Sequence, residues 1–164
     1  MKKNLAILSL LALLVLPWCG WSWNVVEYND SFVAIVKDCT DSTQNLFNVY
    51  QADSSVDSIL DTLNGCVDIC QSAQTKATKL WDFDKDSSLK DAVVSLLSAE
   101  VEYLKKFWES NRYWNMENIT DEDRTAYDWF INELQQLEDR LNNQFLSLQQ
   151  VQELFAAKHG LKLD

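Results

Sequence analysis

Glycine, proline and histidine are all scarce in this chain of 164 residues, which contains 3 glycines, 1 proline and 1 histidine. Average usage of about 7% would give a chain of this length roughly eleven glycines. The sequence therefore has no Gly-rich loop of the kind that holds phosphate groups. The single histidine, His159, has no nucleophile or metal-ligating partner near it in the sequence. We therefore expect no catalytic residue, no metal site and no cofactor.

Basic residues are also few: the chain has 14 basic and 25 acidic side chains, and its formal net charge is −11. So acidic a surface repels nucleic acid and anionic lipid headgroups, which argues against both as partners. We expect the carboxylates to lie on solvent-facing helix positions, where they confer solubility, and not to perform acid–base chemistry.

The N-terminus carries the clearest signal in the sequence. Lys2 and Lys3 precede an apolar run from Leu5 to Leu16, which Pro17 interrupts. A charged segment followed by such a run is typical of a secretory signal. Extended to Trp18, the run would cover about 21 Å as a helix, less than the hydrocarbon core of about 30 Å. Residues 1–18 are therefore predicted to be a signal peptide that directs the chain out of the cytoplasm.

The four residues 16–19 resemble the lipobox of bacterial lipoproteins, in which a cysteine becomes the lipid-modified first residue after cleavage. Leu16 matches the leucine of that motif, whereas Trp18 stands where the motif normally has Gly, Ala or Ser. The resemblance implies lipidation of Cys19, a tether over residues 19–29 and a membrane-anchored location in the periplasm or at the cell surface. The membrane is then a partner through the N-terminal lipid.

Two alternatives for this region stay open. Cleavage after Ser22, with Gly20 as the other small residue, would give a freely secreted protein, and an uncleaved signal would leave a peptide anchor. The second alternative concerns the 7 tryptophans. Some bacteria read UGA as glycine, so a conventional translation would write Trp where the cell inserts Gly. Trp18 would then complete a regular lipobox, and Trp81 would be a glycine just past the end of a helix.

Apolar residues at steps of three and four predict four helices in the rest of the chain. These begin near Asp30, Val56, Ser88 and Thr120, and they end near Gln51, Leu80, Asn111 and Gly160. Their short connections predict antiparallel neighbours. The expected fold class is mainly α, an antiparallel four-helix bundle over residues 30–164 with a long C-terminal helix.

The fourth helix is predicted to extend about 57 Å, well beyond the others. Its apolar stripe continues through the residues Phe145, Leu148, Val151 and Phe155. If this part is exposed, it predicts a protein partner along the fourth helix, as in a coiled coil. Alternatively, the chain folds back and covers the stripe with Val25, Val26 and Tyr28.

Three cysteines remain for disulfide bonding in an exported chain. If the first hairpin turns near residues 52–54, contacting residues have numbers that sum to about 106. Cys39 and Cys66 would then be level to about 1.5 Å and Cys39 and Cys70 offset by about 4.5 Å. We expect a Cys39–Cys66 disulfide, with Cys70 as the alternative partner of Cys39 and three buried free thiols as the other possibility.

Two weaker patterns complete the sequence. Asp82, Asp84 and Asp86 alternate as in half of a calcium loop, but the expected Gly and Glu are missing, which favours an acidic connector that caps a helix. Residues 112–118 combine aromatic and amide side chains that could bind a sugar or peptide. The sequence thus predicts an exported, lipid-anchored helical binding or structural module of the cell envelope. The alternative is a small extracytoplasmic ligand-binding protein that uses residues 112–118.

Overall fold

The computed structural model describes residues 23–52, 55–110 and 120–161. It contains four helices: α1 (Trp23–Gln51), α2 (Val56–Lys79), α3 (Ser88–Glu109) and α4 (Asp121–His159). Consecutive helices pack against each other along the chain order. The mainly α class, the bundle of four helices and the long C-terminal helix are thus confirmed. Within the described ranges, no helix is both long enough and apolar enough to cross a membrane.

The first helix begins earlier than the sequence analysis predicted. It starts at Trp23 instead of Asp30, and within the added turns Val25 and Tyr28 are buried. The tether expected over residues 19–29 is therefore wrong for residues 23–29, which belong to α1. The physical reason is the spacing of Val25, Tyr28 and Phe32, because these residues continue the helical stripe toward the N-terminus. The predicted signal peptide and residues 19–22, including Cys19, lie outside the described residues.

These added turns of α1 cover the C-terminal half of α4. The rings of Tyr28 and Phe155 lie 5.7 Å apart between centroids, and Gln152 donates a hydrogen bond of 3.1 Å to the side-chain oxygen of Asn29. Leu148 and Phe155 are buried in the core. The chain thus folds back as the alternative proposed, and the hypothesis that Leu148 and Phe155 form an exposed interface is wrong.

The connector between α2 and α3 is a tight turn. Asp84 and Lys85 both have positive φ, at 52° and 65°, and the backbone N–H of Asp86 donates to the carbonyl of Phe83 at 2.7 Å. Two consecutive left-handed residues inside such a hydrogen bond are the signature of a type I′ turn. The left-handed residues thus lie at positions 84 and 85, and Trp81 is not left-handed.

Asp86 joins this connector to two helices. Its carboxylate accepts hydrogen bonds from the backbone N–H of Ser88 at 3.0 Å and from Lys158 at 2.6 Å. The bonds from Lys158 and Ser88 hold the pKa of this carboxyl well below its usual range. Nearby, Asp82 pairs with Lys90. The expected acidic connector that caps a helix is therefore present, and it also fixes the end of α4.

The helix ends otherwise follow the chemistry of their capping residues. Thr120 caps α4 and forms a reciprocal capping box with Asp123, and Gly160 ends the helix with a positive φ of 72°. The cap of α2 is Ser55, which accepts a hydrogen bond from the N–H of Ser58.

Phe155→Ala tests whether the C-terminal half of α4 belongs to the core. Because the side chain is 2% exposed, we expect the substitution to lower the free energy of unfolding by about 3 to 5 kcal/mol. The matched control is the neighbouring Leu154→Ala, where a side chain that is 71% exposed should give a change within about 0.5 kcal/mol. Urea denaturation followed by circular dichroism measures both. Equal small effects would contradict the packing of α1 on α4.

Candidate functional site at the cysteine cluster

A disulfide joins α1 and α2 through Cys39 and Cys70, whose Cα atoms lie 4.7 Å apart. The expected pairing of Cys39 with Cys66 is therefore wrong, and the alternative partner is the correct one. The reason is the register of the hairpin. Cys39 meets Cys70, and Thr43 meets Cys66. Both pairs have numbers that sum to 109 and not to about 106, because the turn is centred one to two residues later than assumed.

The disulfide is shielded from solvent. Cys39 and Cys70 are buried, with exposed fractions of 2% and 0%. Because a disulfide removes conformational freedom from the unfolded chain, this bond is expected to stabilise the hairpin of α1 and α2. The two cysteines that the bond joins are 31 positions apart in the sequence.

Cys66 is a free thiol next to this bond. It lies one helical turn before Cys70 on α2, is buried, and its sulfur is 3.5 Å from the hydroxyl of Thr43. Burial raises the pKa of the Cys66 thiol, despite the opposing hydrogen bonds of Thr43 and Ser42. Since the thiolate is the nucleophilic form, Cys66 is a weakly reactive thiol at neutral pH.

Glu100 reaches the same cluster from α3. Its carboxyl oxygen lies 2.8 Å from the hydroxyl of Thr43, and the residue is buried. The expectation that carboxylates lie on solvent-facing positions is wrong for Glu100. A signal was available in the sequence, because Glu100 falls three residues after Leu97 and four before Leu104 on the buried stripe of α3.

The hydrogen bonds of Thr43 indicate which protonation state of Glu100 the site favours. The hydroxyl of Thr43 has one proton, yet it lies within bonding distance of two acceptors, Glu100 at 2.8 Å and the carbonyl of Cys39 at 3.1 Å. A protonated Glu100 satisfies both contacts, because it donates to Thr43 while Thr43 donates to Cys39. Burial acts in the same direction and raises the pKa of Glu100.

The cluster therefore joins three helices at one level of the bundle through a disulfide and a chain of hydrogen bonds. Its four reactive or titratable side chains, Cys39, Cys66, Cys70 and Glu100, all lie in the buried interior. No described side chain among them is placed to meet a dissolved substrate. The arrangement can order the helices and hold a proton, and it provides no open binding surface.

The other predicted sites fall elsewhere. Cys19 and residues 112–118 lie outside the described residues, so the lipidation and ligand-binding hypotheses stay predictions. In the part of the chain that the structure describes, no group of three or more His, Cys, Asp or Glu side chains could hold a metal ion.

The disulfide pairing is tested by peptide mapping under non-reducing conditions, which should find Cys39 joined to Cys70. Cys39→Ser should lower the free energy of unfolding by about 3 to 4 kcal/mol, the value expected for a loop of this length. It should also abolish the effect of a reductant on stability. As the control, Cys66→Ser should remain sensitive to the reductant. A map that joins Cys39 to Cys66, or finds three free thiols, contradicts the assignment.

Glu100→Gln tests the protonation of the buried carboxyl. A pKa raised above the unfolded value of 4.5 means that Glu100 supports folding fully below about pH 4 and loses this contribution as the pH rises through its folded pKa. Glutamine stays neutral and keeps the hydrogen bond. We expect the variant to match wild type at pH 4 and to be more stable than wild type at pH 8.

Thermal and urea denaturation at the two pH values measure this difference. The matched control is Glu102→Gln on the same helix, where an exposed carboxylate pairs with Arg140. Such surface pairs contribute about 0 to 1 kcal/mol, so this variant should show no gain at pH 8. A Glu100→Gln protein less stable than wild type at pH 8 would show that the buried group is an ionised carboxylate.

No family model matches the chain, and neither a curated protein sequence nor a solved structure matches it. Its function is therefore inferred from its residues and their geometry.

Proposed function

We propose that this protein is an exported helical module of the cell envelope, held at the membrane by a lipid on Cys19, which acts by binding or as a structural element. The observation that carries this proposal is the buried disulfide between Cys39 and Cys70. Disulfides persist in oxidising compartments outside the cytoplasm and are rare within it. The disulfide and the signal-like N-terminus therefore support the same compartment by independent arguments.

A role without covalent chemistry is supported by the position of the titratable groups. Glu100 and Cys66 are the described carboxyl and thiol that lie in the core, and both are shielded by surrounding helices. Their pKa values are raised, which favours neutral and weakly reactive forms. In the part of the chain that the structure describes, this favours binding through the outer faces of the bundle.

For a protein partner, the outward face of α4 is the surface that the packing leaves available. Leu146 and Leu154 are 55% and 71% exposed, and they lie two turns apart on this helix. They replace the buried Leu148 and Phe155 as the residues that a partner of α4 would contact. Isolated exposed leucines are common on soluble proteins, so the disulfide between Cys39 and Cys70 carries more of the proposal than this face does.

Cys19→Ser tests the anchoring. In cells that process lipoproteins, wild type should partition with membranes and with detergent, because acyl chains contribute about 0.8 kcal/mol for each buried CH₂ group. The variant should be released or remain unprocessed. Cys66→Ser is the matched control, since it removes a buried cysteine and should leave partitioning unchanged.

Mass spectrometry of the N-terminal peptide identifies the modification directly. A lipid-modified Cys19 as first residue is the expected result. Wild-type protein recovered from the culture medium with Trp23 as its first residue would show free secretion and contradict the proposal.

A further inference from the structure

We propose that the end of the bundle at which α1 begins is a membrane-contacting surface, in which Trp81 inserts into the headgroup region with Lys79 and Lys85 beside it. The bilayer in question is the one that would hold the lipid on Cys19, so this inference rests on the proposed function. It adds an orientation of the bundle and names the residues that meet the membrane. The connector end, as used below, comprises residues 23–30, 79–86 and 153–161.

The first support is the short distance along the chain between Cys19 and α1. Helix α1 begins at Trp23, four residues after Cys19. Four residues span at most about 14 Å even when fully extended. The polar region of one leaflet is itself about 5 to 8 Å thick, which is half the difference between the whole bilayer and its hydrocarbon core. A lipid on Cys19 therefore brings the start of α1 to the membrane surface.

The second support is that Trp81 lies at this same end. Tyr28 lies five residues after the first residue of α1. The centroid of its ring is 5.9 Å from that of Trp81, 5.4 Å from that of Phe83 and 5.7 Å from that of Phe155. The connector between α2 and α3 and the last turns of α4 therefore surround the start of α1. Whatever lies close to the first turns of α1 also lies close to these aromatic residues.

The third support is the exposure of Trp81. Its side chain is 63% exposed, although it follows directly on the core helix α2 and touches the fully buried Tyr28. Tryptophan combines a large apolar ring with a polar N–H, and it is enriched where membranes meet water for that reason. One side of the ring rests on the bundle, and the rest of it is available to the bilayer.

The charges of the connector end are mixed, and Lys79 and Lys85 are the ones that could meet phosphate groups. Lys90 pairs with Asp82 and Lys158 pairs with Asp86, so two carboxylates of the connector are already compensated. Lys79 and Lys85 are exposed and take part in no ion pair among the described residues. Long lysine side chains can extend to the headgroups while their stems remain on the protein. The exposed carboxylates of the connector end that form no ion pair with described residues are Glu27, Asp30, Asp84 and Glu153, so the proposed contact rests on Trp81 and the lipid and not on a positive net charge.

The proposed orientation also keeps one acidic segment of α4 away from the bilayer. The first turn of α4 carries Asp121, Glu122 and Asp123. These residues precede Phe155 by more than thirty positions on one continuous helix, a distance of about 50 Å. With the connector end at the bilayer, this acidic turn is the part of α4 farthest from anionic headgroups, where screening by salt removes the repulsion.

Lysine labelling in the presence and absence of a membrane tests the proposal. Lipidated wild type in vesicles of phosphatidylcholine is treated with a membrane-impermeant acetylating reagent, and each lysine is quantified by mass spectrometry. Lys79 and Lys85 should react at least about threefold more slowly than in the released Cys19→Ser protein, because a membrane surface would cover them. Lys105, exposed on α3 about 25 Å from the connector, is the internal control and should be unchanged.

Tryptophan fluorescence provides the second measurement. Trp21 and Trp23 are close to Cys19 in the sequence, so both are first replaced by Phe. Lipids brominated near the headgroup should quench this background protein, and adding Trp81→Ala should remove at least about half of that quenching. Trp129→Ala is the matched control, because Trp129 is 59% exposed and lies about 39 Å from Phe155 along α4. The same mass spectra identify the residue at position 81, and a glycine there would overturn the proposal.

A failure of the proposed lipidation and a failure of the membrane-contacting surface give different results. If the native chain carries no lipid, the proposed function fails, and a synthetic lipid can be attached to the thiol of Cys19 in the purified chain. Equal labelling of Lys79, Lys85 and Lys105 on a membrane-bound chain of either kind would overturn the membrane-contacting surface. Protection of Lys79 and Lys85 that depends on protein concentration without vesicles would assign the surface to a second copy of the chain instead.

Discussion

The packing of Tyr28 is the contact on which the closure of this bundle depends. Neighbouring helices share long interfaces in chain order, but α1 and α4 have few close backbone approaches among the described residues. Side chains at one end make the connection instead. Tyr28 is fully buried, and its ring meets Phe32 from its own helix, Phe83 from the connector and Phe155 from α4. The first and last helices are thus joined by an aromatic cluster.

This closure explains why the long fourth helix needs no partner to cover its C-terminal stripe. The turns of α1 before Asp30 supply the missing apolar surface, and the hydrogen bond between Asn29 and Gln152 fixes the alignment of the two helices. Asp86 holds the last turn of α4 from the other side through Lys158. A large buried aromatic residue contributes several kcal/mol in such a setting, which is a substantial part of the stability of a domain this size.

The sequence predicted what local chemistry determines. Apolar spacing gave four helices, and Thr120, Asp123 and Gly160 marked the two ends of α4 because their side chains or backbone suit those positions. The start of α1 was missed because the lipoprotein resemblance suggested a tether, although Val25, Tyr28 and Phe32 keep the helical spacing. The start of α1 depends on its packing against α4, and the spacing of apolar residues alone does not reveal that packing.

The disulfide and Glu100 were harder to predict for different reasons. Cys66 and Cys70 differ by one helical turn, and an error of one to two residues in the position of the hairpin turn was enough to reverse the preferred partner of Cys39. Glutamate side chains usually lie in solvent, so the residue type alone predicts an exposed Glu100. Its buried position involves a contact with Thr43 from another helix, which a single sequence does not display.

The cysteine cluster and the connector end have different roles in the bundle. The cluster fixes the mid-levels of α1, α2 and α3 through the bond between Cys39 and Cys70 and the contact between Thr43 and Glu100. The connector end places the origin of α1 beside an exposed tryptophan and uncompensated lysines. A rigid bundle oriented in this way would project its acidic end, the first turn of α4, away from the membrane.

Hydrogen exchange over residues 25–32 tests the central claim most directly, because that segment is either a part of the packed bundle or a tether. The account predicts amide protection in this segment comparable to that of the core of α2 around Leu63 and Cys66, since its opening would require the aromatic cluster to separate. Exchange at the rate of an unstructured peptide would contradict the closure by Tyr28 and, with it, the proposed position of the bundle on the membrane.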